Sequence, residues 1–132
     1  MSSVSRGFTL LELLAAIVVV SLGLLGLLAV DSQVRKANEA TYERMVAVQD
    51  AQRVLELMRN ASASGNFPAN VARSYPNGGA VSGFNNLTGE QVTVTYADAA
   101  ADPLDITVTA NWREHGLRNA STQLRTMMTQ RE

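Results

Sequence analysis

Few side chains in this sequence could do chemistry. There is no cysteine and one histidine, His115. A disulfide, a thiolate metal site, a lipobox and a cysteine nucleophile are therefore excluded. His115 follows Glu114 in a turn-like stretch without the nitrogen, sulfur or acidic companions that zinc needs, and reads as a solvated loop residue. Asp98, Asp102 and Asp105 fall in one connection. Closely spaced carboxylates can hold calcium, but aspartates at such spacing ordinarily make turns by bonding their own backbone, so no metal and no cofactor is expected. Arg113, Arg118, Arg125 and Arg131 form a loose cationic set near the C-terminus. Alternation along a strand divides them between faces, and no aromatic platform is interleaved, so no nucleic acid is expected as a partner. The remaining candidates lie together near the N-terminus: Gly7, Phe8 and Glu12.

Glu12 stands out because it sits at the mouth of a long apolar run. From Leu13 to Val30 the only non-apolar side chain besides the glycines is Ser21. As a helix this run can cross about 30 Å of hydrocarbon. A secretory signal peptide has a shorter apolar core and a small-x-small cleavage site behind it; Leu28-Ala29-Val30-Asp31 is a poor site. A plain signal anchor accounts for the run but not for a carboxylate at its entrance. Charges in a bilayer cost a few kcal/mol and are usually functional or paired. One reading makes Thr9 the N-cap and Glu12 its capping-box partner, with Phe8 and Leu13 as the hydrophobic staple. A second gives the carboxylate a partner on another molecule. The two readings are compatible.

Arg6-Gly7-Phe8-Thr9-Leu10-Leu11-Glu12-Leu13-Leu14 resembles the class III signal of type IV prepilins and type II secretion pseudopilins. The resemblance implies cleavage between Gly7 and Phe8 by prepilin peptidase and N-methylation of the new Phe8 amine, and makes Glu12 the fifth mature residue. It covers about the first quarter of the chain. Ser21-Leu22-Gly23-Leu24-Leu25-Gly26-Leu27 further resembles PilV-type minor pilins. Cleavage would create a cationic amine on Phe8, which a carboxylate from a neighbouring subunit could meet in a filament. Removing either partner would leave a buried charge unpaired, which is costly, so Glu12 is a candidate for setting subunit register. It has no catalytic companion, and no enzymatic role is expected. Gly7 alone would read as a flexible residue before a helix; within the motif it is the small residue at the scissile bond. Gly23 and Gly26 each weaken a helix by roughly 1 kcal/mol relative to alanine, and Ser21 competes for backbone bonds. Close helix packing and a segment that unwinds on leaving lipid both fit.

The elements that must position these residues emerge from periodicity. Residues 1–7 read as leader, 8–30 as the membrane and filament-core helix, 31–60 as its amphipathic continuation, and 61–132 as a C-terminal loop and β-meander. No glycine or proline interrupts Asp31 to Ser64, so one helix is expected to run to about Asn60, a rod on the order of 75 Å. Val34, Ala37, Thr41, Met45, Val48, Ala51, Leu55 and Met58 fall on one face. Arg35, Glu39, Glu43, Asp50 and Arg53 lie largely opposite, interrupted by Val46, Val54 and Leu57. Two apolar sides require two partners, the chain's own sheet and neighbouring helices. Residues 61–90 read as a long loop pinned by Phe67, Tyr75 and Phe84, with a turn at Tyr75-Pro76-Asn77-Gly78-Gly79. Strand alternation marks Val92–Tyr96 and Ile106–Trp112, and a third strand is expected from Ser121 to Thr129.

The fold class implied is α+β: a long N-terminal helix packed on a small antiparallel sheet of about three or four strands. At 132 residues and a formal net charge of −1, the chain supports one small domain and no bulk attraction to polyanions. The function expected is that of a minor pilin of a type IV pilus, acting in assembly or initiation. It would be anchored by a single pass in the inner membrane before entering a filament at the cell surface. Expected partners are other pilin subunits, prepilin peptidase and the pilus assembly machinery. A minor pseudopilin of a type II secretion system is the second reading. An unprocessed single-pass membrane adaptor is a third, of a different class.

Overall fold

A computed structural model of the chain describes residues 9–63 and 65–130. A run free of glycine after Gly26 and free of proline throughout lets one helix, α1, extend from Leu10 to Ser62. It ends where Gly65 and Asn66 adopt positive φ (81° and 57°), conformations that stop a helix. The chain divides into two compact units, residues 1–38 and 39–132. In the first, α1 leaves its large apolar side chains exposed from Leu10 to Val34. Among the described residues it is the one helix long and apolar enough to cross a membrane.

The second unit holds the core. After a short helix α2 (Ala69–Ser74), strands β1 (Ala80–Val81), β2 (Gln91–Tyr96), β3 (Leu104–Glu114) and β4 (Arg118–Met128) form one sheet in the order β1-β2-β3-β4. Every pairing is antiparallel. The fold is thus α+β, a helix packed on a four-stranded meander. Alternation works as expected: Val92, Val94, Tyr96, Leu104, Ile106, Val108, Ala110 and Trp112 face inward and are buried. The third expected strand begins three residues earlier, at Arg118, because a tight loop at His115-Gly116 (φ 51° and 71°) brings Arg118 opposite Glu114.

Two parts of the chain differ from the sequence expectation. The stretch 61–90 is not all loop, since it contains α2 and β1. Phe67, Tyr75 and Phe84 do pack against the core, joined by Leu87. The Tyr75–Gly79 turn seeds the first strand pairing: Gly78 N–H donates to the Val94 carbonyl (2.8 Å), Val94 N–H to that of Gly79 (3.2 Å), and Tyr96 N–H to Asn77 Oδ1 (3.0 Å). The buried face of α1 is also rotated. It consists of Ala47, Asp50, Ala51, Val54, Met58 and Ser62, whereas Val34 and Met45 are each 50% exposed. The stripe mixes small Ala47 and Ala51 with large Val54 and Met58, all fully buried, so the covered side is set by where the sheet packs and not by summed hydrophobicity along the helix.

Candidate functional site

At the start of α1, Thr9 acts as the N-cap. The Glu12 N–H donates to the Thr9 Oγ1 (3.3 Å) and carbonyl (3.0 Å), and the Leu13 N–H to the same carbonyl (3.1 Å). This is the backbone half of a capping box. The Glu12 carboxylate itself has no side-chain bond among the described residues, so capping leaves its charge available. Gly7 and Phe8, the expected cleavage pair, and with Phe8 the expected staple, lie outside the described residues. Further along, the Ser21 hydroxyl donates to the Ile17 carbonyl (2.7 Å). A Cβ added at Gly23 or Gly26 would meet nothing within 4 Å. Packing within the described chain therefore does not require glycine at either position.

The model of the prokaryotic N-terminal methylation motif, the class III signal, matches residues 2–28. The match supports a type IV pilin-like protein. No curated protein and no solved structure matches the chain significantly. The class III signal implies processing by prepilin peptidase and assembly with other pilins, and with the apolar helix it supports membrane anchoring and incorporation into a pilus. Proteins bearing this motif are ordinarily structural filament subunits rather than enzymes.

Polar side chains on α1 fasten it to the rest of the second unit. Asp50, only 6% exposed, accepts two bonds from Asn86 Nδ2 (3.1 and 2.9 Å). Glu90 lies close by: its Oε2 accepts the Leu87 N–H (3.1 Å), while its buried Oε1 has no partner. Burial raises the Glu90 carboxyl above its ordinary value, and the Asp50 charge raises it further, partly offset by the Leu87 N–H. Seven residues before Asp50, Glu43 accepts from the Trp112 indole Nε1 and from the His115 N–H, each at 3.2 Å. His115 Nδ1 stands 3.3 Å from Glu39. This histidine is thus tethered to the helix rather than freely solvated.

Charge pairs join both helical neighbours and residues on adjacent strands. Arg35 pairs with Asp31 (2.8 Å) rather than Glu39. Asp50 bonds to Asn86 rather than to Arg53. Of the three aspartates in one connection, Asp98 accepts the Ala100 N–H as a turn, and Asp105 sits in β3 paired with Arg125. That partner's hydrogen bond holds the Asp105 carboxyl below the usual range. Arg118 pairs with Glu114. Inside the core, the Tyr96 hydroxyl donates to the Tyr75 carbonyl (2.7 Å), and burial pushes its ionisation up to about 12. Sequence reasoning missed the Asp50–Asn86–Glu90 cluster. The available signal was an acidic residue within one turn of Ala47, Ala51 and Val54.

Proposed function

We propose that this chain is a minor pilin of a type IV pilus. It is made as a prepilin, cleaved between Gly7 and Phe8, N-methylated on Phe8, and held by a single pass in the inner membrane until it enters a filament. The N-terminal methylation motif over residues 2–28 carries the reading. The exposed apolar side chains of α1 support it, because such a surface needs lipid or neighbouring helices around it. The lack of cysteine and the Ser21–Leu27 pattern favour a minor over a major subunit. In this role the Glu12 carboxylate sets subunit register by meeting the Phe8 amine of a neighbour, while Thr9 caps the helix independently.

Intact mass of membrane-extracted protein tests the processing step. The cellular species should begin at Phe8, and one retaining Met1 to Gly7 in cells with active peptidase would remove the pilin role. Glu12→Gln tests the register role. Glutamine fills the capping position but leaves the neighbouring amine uncompensated in an apolar setting. Cleavage and membrane abundance should persist while the mutant's share in sheared filaments falls. Equal incorporation, with the protein located within the shaft, would leave Glu12 only its capping function. The same N-terminal motif serves pseudopilins of type II secretion, and the genetic neighbourhood distinguishes the two systems.

A further inference from the structure

The face of the sheet turned away from α1 carries a polar cleft. Strand register places Gln91, Asn111 and Ser121 side by side across β2, β3 and β4. One step along the same face, Arg113 stands opposite Asn119. Gly89 precedes this row without a side chain, and the Arg113 Cγ and Cδ lie 3.8 Å from where a Cβ there would stand. These residues line an open cleft of about 330 Å³. Among the described residues, none of the five polar side chains has a hydrogen-bond or ion-pair partner. The other two arginines of β4 and its hairpin, Arg118 and Arg125, are neutralised by Glu114 and Asp105. No carboxylate lines the cleft.

The chemistry of this lining is selective. A guanidinium binds a planar carboxylate through two parallel hydrogen bonds. Amides and a hydroxyl both donate and accept, as adjacent sugar hydroxyls require. One unpaired cation is too few for polynucleotide binding, which draws its affinity from many phosphate contacts and from stacking aromatics. The only apolar side chains in the lining are Ala120 and Trp112, the latter 3% exposed, too little to anchor an apolar peptide side chain. The geometry points to a binding site for an acidic glycan, with Arg113 on a sugar carboxylate and Gln91, Asn111, Asn119 and Ser121 on the flanking hydroxyls.

Calorimetric titration of the full-length protein in detergent micelles tests this, using tetragalacturonate, tetramannuronate, a hyaluronan tetrasaccharide, neutral maltotetraose and a short single-stranded oligodeoxynucleotide. At least one uronate oligosaccharide should bind, with maltotetraose roughly tenfold weaker or more, the loss expected for a carboxylate–arginine pair. Arg113→Gln should erase that preference, and Asn111→Ala should weaken binding several-fold. Both variants should melt like the wild type, since neither side chain supports the fold. Absence of binding to all three uronates, or undiminished affinity in Arg113→Gln, overturns the site. Tighter binding of the oligodeoxynucleotide than of any uronate overturns the glycan assignment.

Discussion

Replacing Glu90 by glutamine should make the protein more stable at neutral pH. The folded state raises the Glu90 carboxyl above its ordinary value of 4.5, chiefly through burial and then through the Asp50 charge. The folded chain therefore holds this proton more tightly than the unfolded chain. The resulting stability is complete below the ordinary value and is lost as pH rises through the folded one. Above that window a carboxylate sits near Asp50 with Oε1 unpartnered. Glutamine keeps an oxygen for the Leu87 N–H and presents an amide donor toward the Asp50 carboxylate. A hydrogen bond to a charged group contributes about 1.5–3 kcal/mol; discounted for the solvent reaching a half-buried Glu90, about 1 kcal/mol remains. For a unit the size of residues 39–132 this raises Tm by roughly 4–8 °C. Thermal melts by far-ultraviolet circular dichroism across pH 4 to 8 measure it. The gap between mutant and wild type should open as pH rises and close near pH 4. A lower Tm for Glu90→Gln at neutral pH, or a constant gap across the series, would refute the reasoning.

Three other outcomes rest on the packing. Met58→Ala empties a fully buried site between helix and sheet and should cost about 2–5 kcal/mol in denaturant titration. Gly79→Ala would place a Cβ 2.8 Å from the Pro76 carbonyl oxygen; the strained turn should cost roughly 1–3 kcal/mol in the same titration. A chain beginning at Asp31 should be soluble and melt cooperatively with mixed helix and strand, because residues 39–132 form a compact unit with their own core. A disordered spectrum would contradict the meander.

The sequence made the local rules visible and hid the long-range ones. Alternation at Val92–Tyr96 and Ile106–Trp112 reports directly which side chains face the core, since strand geometry leaves one choice of face. The unbroken stretch after Gly26 likewise marks the helix. Its buried side is harder to read. A stripe through Val34, Met45 and Met58 maximises apolar character, yet the side that is buried runs through Ala47, Asp50, Ala51, Val54 and Met58, a choice made by the rest of the chain and not by the helix's own pattern. Asp50 reads as solvent-facing because its partner, Asn86, lies 36 residues away, beyond any helical spacing rule. β1 is two residues long, too short for a period to emerge. At the N-terminus, the Thr9 cap was legible from spacing alone, and the class III signal was legible only through its resemblance to a known motif, which the match over residues 2–28 supports.

The bond between Glu43 and the Trp112 indole has a practical consequence. Trp112 is the only tryptophan in the chain, and its ring is 3% exposed with its one polar atom held by the helix. Indole emission depends on burial and on what the Nε1–H touches. Any event that loosens the helix from the sheet should shift the emission wavelength of this single chromophore. The protein thus carries its own optical gauge of whether its helix stays docked on the sheet, readable without a label in the purified protein.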